Sequence, residues 1–409
     1  MKTVEGAMPA GESRPPAAAA WEVFTAFLGQ GLTAFGGPMA HLGYFRREFV
    51  ERRGWVTEGQ FAELLAICQF LPGPASSQLG MALGLRRAGA AGMLAAFAGF
   101  TLPAATAMLA LAYAAPAMSG EWGSGWLHGL KVAAAAVVLQ ALIAMARTLA
   151  RGPVRAGMAI GAGLGLMIAT GPVAQIFALA AGAAFGLAML RDEAMPAEAE
   201  TTSSPVRPGV AMAAFVTFAV LLAAVPLAAQ LLQSPMLALA SVFYRTGALV
   251  FGGGHVVLPL LHSEVVDRGW MDADVFLAGY GAVQALPGPL FSFAAFVGGA
   301  QTFAAGGWAG GLVALVAIFL PSLLLVPAAL PVWDVLRAHP AARGAVAGLN
   351  AVVVGLLAAA LWDPVLTETV ERPSDWALVA AAWVFLAIAK LPPWLVVVGF
   401  AAATGVMTR

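Results

Sequence analysis

The sequence predicts an all-α membrane protein built from two inverted repeats of transmembrane helices. Three observations lead to this fold class. Hydrophobic residues make up 61% of the 409 residues and charged residues only 10%, too few charges to cover the surface of a soluble protein. Long runs of the chain contain no charged residue at all. One set of motifs also occurs twice, in the same order.

The charge-free runs are long enough to cross a bilayer. A hydrocarbon core of roughly 30 Å takes about 20 apolar residues per helix. The runs are 88–120, 156–190, 208–244 and 275–333, and the last is long enough to cross twice. The alternation typical of a membrane β-barrel is absent. Basic and acidic residues balance at 21 each, which removes bulk electrostatic attraction to nucleic acid.

The internal repeat relates positions that lie 216 or 215 residues apart. Phe-Gly-Gly at 35–37 recurs at 251–253, and Gly-Trp at 54–55 recurs at 269–270. Pro-Gly-Pro at 72–74 recurs at 287–289. A compositional bias towards Gly and Ala would imitate one such match but not the ordered set. The chain therefore contains two copies of one structural unit.

The repeat defines the predicted domain organisation. Residues 1–19 read as a disordered tail, 191–208 as a hydrophilic linker and 209–234 as a single linking helix. The two repeats are then 20–190 and 235–409, with six apolar segments each. Six, one and six segments predict about thirteen crossings. The unmatched helix turns the second repeat over, as in many secondary transporters.

The distribution of arginines predicts a cytoplasmic N-terminus, by the positive-inside rule. Only the loop 38–60 disagrees, because it carries four arginines and would lie outside. An alternative makes 62–85 a re-entrant hairpin bent at its Pro-Gly-Pro, which moves this loop inside but makes the repeats parallel. The same choice applies to 275–300. The arrangement with thirteen crossings is preferred.

Each Pro-Gly-Pro interrupts an apolar segment and is the predicted binding site. Proline cannot continue a helix, and broken backbone within a membrane must be buried or line a wet cavity. The half-helix after each break begins with free N–H groups and a positive dipole end, which attract anions. The alternative is a plain kink filled by a neighbouring helix. The candidate residues are Gln69, Pro72, Gly73, Pro74, Ser76, Ser77, Gln284, Pro287, Gly288, Pro289 and Ser292.

Two cations are candidates for the same site. Arg245 lies roughly 15 Å from one end of segment 235–253, and a charge at that depth is by default functional. Its alternative is snorkelling towards the interface. Lys131, whose repeat equivalent is Asn350, would supply a second cation.

The remaining candidates have weaker support. Gly36, Gly37, Gly252 and Gly253 would line a ligand loop, although helix termination is the favoured interpretation. His41 and His255 are candidate proton carriers by their ordinary pKa, with interfacial hydrogen bonding as the alternative.

No catalytic or cofactor motif stands out in the sequence. We therefore expect a secondary transporter rather than an enzyme, without cofactor or metal. Two other functions stay open: an anion carrier or channel for sulfate or another anion, and an intramembrane enzyme acting on a lipid phosphate. The enzyme would need a nucleophile, for which only the serines after the breaks are available.

Taken together, the motifs resemble those of the chromate ion transporter (CHR) family in its long, two-repeat form. The resemblance covers roughly residues 20–362. It implies an inner-membrane protein that exports chromate, an analogue of sulfate, from the bacterial cytoplasm. The family usually has a basic residue where this chain has Gly29, the repeat equivalent of Arg245. The segments that carry the resemblance are Phe35-Gly36-Gly37-Pro38-x-x-His41, 48–55, Leu71-Pro72-Gly73-Pro74, Phe243-Tyr244-Arg245, Phe251-Gly252-Gly253 and Pro287-Gly288-Pro289.

The expected mechanism is alternating access around a site at the membrane midplane. Arg245 and the two half-helices would bind the dianion there, and the repeats would rock around it. Membrane potential or a proton gradient would drive export. The expected partners are a chromate- or sulfate-like anion and the lipid bilayer, with no nucleic acid; a homodimer is left open.

Overall fold

The computed structural model describes residues 16–118, 124–190 and 204–407. Every regular element within these ranges is a helix, which confirms the all-α fold class. The predicted tail and linker lie largely outside the described residues, at 1–15 and 191–203.

The helices follow the two repeats. The first repeat contains α1 Pro16–Thr33, α2 Gly37–Phe45 with a π-helical extension Arg46–Arg52, α3 Glu58–Phe70, α4 Ala75–Met118, α5 Ser124–Leu149, α6 Pro153–Ile168 and α7 Pro172–Met189. The linking helix is α8 Pro208–Leu231. The second repeat contains α9 Pro235–Leu249, α10 Val257–Val265, α11 Ala273–Val283, α12 Phe293–Ala300, α13 Gly307–Ala329, α14 Trp333–Ala338, α15 Pro340–Ala360, α16 Thr367–Thr369, α17 Pro373–Ala387 and α18 Pro393–Met407.

Helix α4 is two helices joined by a sharp reversal. Ala88 and Gly89 leave helical geometry, with φ values of −144° and 63°. Gly84 and Gly92 pack so closely that a Cβ on either would overlap the other's carbonyl oxygen. Since these residues are far apart along a continuous helix, the chain folds back. We call the two parts α4a (75–87) and α4b (90–118).

The first Pro-Gly-Pro lies at the tip of a re-entrant hairpin. The Arg87 guanidinium, at the end of α4a, lies 5.4 Å from the ring centroid of Trp55, just before α3. Two 13-residue helices placed end to end would separate these residues by about 40 Å. Helices α3 and α4a therefore run side by side. We call the segment 58–87 hairpin 1.

The second Pro-Gly-Pro lies at the tip of an equivalent hairpin. The rings of Trp270, before α11, and Phe303, after α12, stack with centroids 4.0 Å apart. The Thr302 N–H also donates to the Trp270 carbonyl at 2.9 Å. We call the segment 273–300 hairpin 2. The re-entrant alternative thus describes both Pro-Gly-Pro segments, since each hairpin returns to the face from which it starts.

The first apolar segment of each repeat also turns back, and in the second repeat Arg245 of α9 contacts Glu264 of α10. Phe27 of α1 stacks on Phe49 at 4.6 Å, and Glu22 lies 3.9 Å from Arg53. The loop 38–60 therefore lies on the face where α1 begins, the N-terminal face, and not on the other side as predicted. This removes its disagreement with the positive-inside rule. Six helices in the described part of the chain are long and apolar enough to cross a membrane, fewer than the thirteen predicted crossings.

The two repeats remain inverted. Each repeat contains two reversals, one after its first apolar segment and one at its hairpin, and the two cancel. Helix α4b leads from the N-terminal face to the opposite face, where α5 begins. Lys131, near the start of α5, bonds Asp274 at the start of α11 at 2.6 Å. Helix α11 therefore begins on the opposite face, whereas its equivalent α3 begins on the N-terminal face.

The last two helices of each repeat pack against the other repeat. Helices α6 and α7 contact α15, and α17 and α18 contact α5. Gly186 fits so tightly against Gly344 and Gly348 that a Cβ would overlap their backbone. Small residues that let helix backbones approach are typical of membrane interfaces. This exchange ties the repeats together around the hairpin tips.

Candidate functional site

The tips of the two hairpins are each held by the other repeat. The Gly73 N–H donates to the Val250 carbonyl at 2.7 Å, and the Gly288 N–H donates to the Ala34 carbonyl at 3.1 Å. Both pairs are repeat equivalents, since Gly73 matches Gly288 and Ala34 matches Val250. The two hydrogen bonds are therefore one contact repeated by the pseudo-twofold symmetry.

Glycine is required at both tips. Gly73 has φ 123° and Gly288 has φ 100°, backbone angles that other residues rarely adopt. A Cβ on Gly73 would overlap the Ser322 hydroxyl and the Gln78 amide. The flanking prolines lack N–H groups, so the glycine is the one donor at each tip.

The acceptors of these bonds, the Ala34 and Val250 carbonyls, lie directly before the Phe-Gly-Gly motifs. Their glycines have positive φ, at 101° and 75° for Gly36 and Gly37, and 72° and 144° for Gly252 and Gly253. They end α1 and α9 abruptly, which frees the carbonyls just before them. This geometry agrees with the interpretation of helix termination and packing.

The half-helices begin with two equivalent, buried serines. Ser77 is 4% exposed and Ser292 is 0% exposed. Among the described residues, neither hydroxyl has a hydrogen-bond partner, and the same holds for Gln78 Oε1 and Gln284 Nε2. Buried polar groups are nearly always paired with protein or water. These four atoms therefore indicate a place for water or a polar ligand beside the two tips.

The other residues of hairpin 1 are distributed unevenly. Ser76 is engaged by His41 at 3.3 Å. Gln78 Nε2 donates to the Pro72 carbonyl at 2.6 Å and to Ser322 at 3.1 Å. Gln69 is exposed, unlike its equivalent Gln284. The amide before the break is therefore placed differently in the two hairpins.

Arg245 lies in α9, five residues before Val250, and is paired with a carboxylate. Its Nη2 donates to Glu264 at 2.8 Å, and Glu264, 6% exposed, also pairs with Arg268. No contact within the described ranges joins Arg245 to either tip. The binding role expected for Arg245 stays a prediction.

Lys131 lies in a separate cavity on the opposite face. Its Nζ donates to Asp274 at 2.6 Å, to the Glu368 carbonyl at 2.8 Å and to Glu371 at 3.3 Å. The cavity measures about 620 Å³ and is lined mainly by charged side chains, including Asp272, Asp274, Glu371, Asp375, Arg372 and Lys131. Lys131 and Arg245 therefore share no cavity and do not form the expected pair of cations. The equivalent Asn350 packs near Gly252, and its Oδ1 has no partner in the described part of the chain.

The two candidate proton carriers differ in what they contact. His41, 1% exposed, lies 3.1 Å from the Ala34 carbonyl through Nε2. His255 Nδ1 lies 2.7 Å from the Tyr280 hydroxyl. Only His41 contacts the start of a half-helix. The two residues are not repeat equivalents, since the match of His41 is Val257.

Sequence reasoning missed the acceptors Ala34 and Val250 and the neighbour Ser322. Ala34 and Val250 have side chains without polar chemistry, and the available signal was their place just before Phe-Gly-Gly. Ser322 follows the repeated Leu-Pro at 320–321. Over the described ranges, no group of three His, Cys, Asp or Glu residues is placed to hold a metal ion.

Comparisons with known proteins identify the family. Residues 21–187 and 237–406 each match the sequence profile of the family described as chromate transporter. The chain is 31% identical to a chromate transport protein of Pseudomonas aeruginosa, over 92% of this chain and 89% of that protein. It is 29% identical to a probable chromate transport protein of Synechococcus elongatus, over 82% of each chain. It is 27% identical to a chromate transport protein of Cupriavidus metallidurans, over 92% and 90%.

No solved structure matches the chain. The profile covers both repeats, and the relatives match along most of their own length. The resemblance seen in the motifs is thereby confirmed, and a transporter rather than an enzyme is indicated. The chain belongs to the chromate transporter family of membrane transporters.

Proposed function

We propose that this protein exports chromate from the bacterial cytoplasm across the inner membrane, by alternating access to a site between the hairpin tips. The observation that carries the proposal is the pair of equivalent, buried and unpartnered serine hydroxyls, Ser77 and Ser292. They lie where two half-helices begin, in a chain of the chromate transporter family.

The site would bind the dianion through neutral donors. Moving an ion from water into an apolar medium costs tens of kcal/mol on a Born estimate. The serine hydroxyls and the Gln284 amide replace lost hydration, together with the N–H groups of each first helical turn. The positive dipole ends of the half-helices add to the attraction. Arg245 contributes at longer range, because Glu264 and Arg268 leave this cluster one net positive charge.

Alternating access follows from the inverted repeats. The tips are held by two equivalent hydrogen bonds, each worth about 1 kcal/mol net. The two helices of hairpin 1 reach the N-terminal face, and those of hairpin 2 reach the opposite face. Rocking one repeat against the other would therefore expose the same serines to each face in turn.

The charges at the two faces favour capture of an anion at the N-terminal face. With this face in the cytoplasm, its arginines outnumber the carboxylates that pair with them, and carboxylates outnumber Lys131 and Arg372 in the cavity of the opposite face. A dianion is drawn to the first and repelled by the second. An inside-negative potential adds about 2.3 kcal/mol per charge per 100 mV. The arginines of the N-terminal face include Arg46, Arg47, Arg52, Arg53, Arg86, Arg87, Arg147 and Arg151.

The test is chromate flux into or out of proteoliposomes with a defined membrane potential and pH gradient. We expect the Ser77→Ala/Ser292→Ala variant to lose at least about tenfold in flux, since two donors at roughly 1 kcal/mol each are removed. Ser241→Ala, a buried serine of α9, is the matched control and should keep its flux. Wild-type flux in the double variant would remove the serines from the site.

A further inference from the structure

His41 joins the two hairpin tips through its two ring nitrogens. Nε2 lies 3.1 Å from the Ala34 carbonyl, the same oxygen that accepts the Gly288 N–H of hairpin 2. Nδ1 lies 3.3 Å from the Ser76 hydroxyl, in the first turn of hairpin 1. A change in the protonation of this ring therefore alters hydrogen bonds at both tips.

These partners fix the hydrogen positions of the neutral ring. A carbonyl oxygen only accepts, so Nε2 carries the hydrogen and donates it to Ala34. Nδ1 then has a lone pair and accepts from the Ser76 hydroxyl. A second proton on Nδ1 reverses the latter bond, because Nδ1–H must now donate to Ser76. The hydroxyl hydrogen of Ser76 then needs a new acceptor.

A bound oxyanion supplies that acceptor. Ser76 precedes Ser77 in the first turn of the half-helix, where the proposed function places the dianion. The negative charge also stabilises the imidazolium ring, which burial alone disfavours. Each event therefore favours the other, as thermodynamic linkage requires.

We infer that His41 takes up one proton from the cytoplasm when the dianion binds and releases it on the opposite side with the anion. The inference rests on the proposed function and adds its energy coupling. One proton and one dianion leave together, so each cycle moves one net negative charge instead of two. His41 acts here as a positioning residue for Ser76 and as the proton carrier.

The surroundings of His41 support a switch operated by the anion. Among the described residues, the ring contacts the Ser76 hydroxyl, the Ala34 carbonyl and the Phe100 ring at 5.2 Å. All three are uncharged. These neighbours therefore do not neutralise the charge of an anion beside Ser76, and this charge acts on the His41 ring.

The second repeat has no counterpart of this switch. The equivalents of His41 and Ser76 are Val257 and Phe291, which neither donate nor accept. His255 bonds Tyr280 of α11, which precedes the tip and does not belong to the half-helix. The expected stoichiometry is therefore one proton per anion.

The experiment measures the potential at which chromate flux reverses in proteoliposomes at alkaline pH. With a tenfold chromate gradient, a dianion alone reverses at 29.6 mV, and a dianion with one proton reverses at 59 mV. A tenfold proton gradient shifts the second value by a further 59 mV and leaves the first unchanged. We expect the coupled behaviour in the wild type.

Two variants assign the coupling to His41. His41→Gln keeps one donor and one acceptor without titrating, so we expect reversal at 29.6 mV without response to the pH gradient. His255→Gln is the matched control and should stay coupled. Wild-type protein that reverses at 29.6 mV, or a His41→Gln variant that remains coupled, overturns the inference while chromate transport stands. Absence of chromate flux in the wild type refutes the proposed function instead.

If the His41→Gln variant does not transport chromate, a binding measurement tests the inference instead. Chromate is added to the detergent-solubilised protein in weak buffer, and proton uptake is followed with a pH indicator. We expect one proton per bound anion in the wild type and in His255→Gln, and none in His41→Gln. Proton uptake by His41→Gln equal to that of the wild type contradicts the inference.

Discussion

Hairpins 1 and 2 share their backbone course but differ in chemistry around the break. Both end in a glycine that donates to the other repeat, and both place a buried serine at the start of a half-helix. Hairpin 1 adds Ser76 and its contact with His41, where hairpin 2 has Phe291. The tip glycine and the buried serine, which both hairpins have, suit anion binding. The contact of Ser76 with His41, which only hairpin 1 has, suits proton coupling.

The two faces of the molecule differ in a similar way. Lys131, in its acidic cavity, is the equivalent of the neutral Asn350. The third residue of α6 is Arg155, and the third residue of α17 is Asp375. Inverted repeats with identical charges would attract an anion equally from both sides. The difference in charge therefore makes the two faces attract an anion to different extents.

Replacing the tip glycines should give the largest effect. We expect Gly73→Ala to lower the melting temperature more than Gly288→Ala, and both to abolish chromate flux. Left-handed backbone costs an L-residue about 1–2 kcal/mol at either tip. The Cβ at 73 also overlaps Ser322 and Gln78, whereas at 288 it lies 3.2 Å from Ala104 and from the Phe100 carbonyl. Equal melting temperatures in detergent would show that the two tips are packed alike.

The lysine cavity offers the next test. Asp274→Ala leaves Lys131, 3% exposed, with a weaker set of partners, and should cost about 1–3 kcal/mol. Lys131→Met leaves Asp274 and Glu371, which are half exposed and hydrated, so it should cost under about 1 kcal/mol. Unfolding of the solubilised protein in denaturant measures both. A larger loss for Lys131→Met would contradict this order, and Asn350→Leu serves as the control in the other repeat.

Placing a basic residue at Gly29, the position equivalent to Arg245, should stabilise the protein slightly. Gly29 is exposed within α1, with nothing within 4 Å of an added Cβ. Gly29→Arg improves helix propensity by roughly 0.8 kcal/mol. Its guanidinium would face Glu48, as Arg245 faces Glu264. A rise in melting temperature with unchanged flux is expected, and Gly29→Ala separates propensity from ion pairing. A lower melting temperature than that of Gly29→Ala would show that the two repeats are not equivalent here.

The pH dependence of Glu48 gives the smallest effect. Burial raises the pKa of this carboxyl, but hydrogen bonds from Arg52 and Arg53 outweigh burial and hold the pKa below its usual value. Glu48 therefore contributes stability above about pH 4.3, and this contribution is lost as the pH falls through its lowered pKa. Glu48→Gln should cost under about 1 kcal/mol at pH 7, and this cost should shrink as the pH falls through the lowered pKa. A cost that stays constant as the pH is lowered would contradict this origin.

The breaks and the repeat were visible in the sequence because their chemistry is local. Proline and glycine act on the backbone at their own position, so Pro-Gly-Pro and Phe-Gly-Gly predicted interruptions that the structure contains. The inversion of the repeats was also predicted, although the count of crossings differs.

The fold-back of the first segments depends on contacts that local patterns do not contain. The segment 46–53 carries four arginines and reads as a loop. Its helical course is stabilised by Glu48 between Arg52 and Arg53 and by stacking of Phe49 on Phe27. The carboxylates that surround Lys131 likewise come from segments more than 140 residues away. The sequence showed that Lys131 lies at membrane depth, but it did not show which carboxylates pair with Lys131.

The exchange of terminal helices between the repeats determines the smallest unit that can fold. Helix α5 is covered by α17 and α18, and α15 is covered by α6 and α7. A single half would expose the groove that normally receives its neighbour's last two helices. Two separately synthesised halves would have to insert into the membrane in opposite orientations before their last two helices could pack against each other's grooves. We therefore expect co-expressed halves to assemble only as a pair of opposed chains.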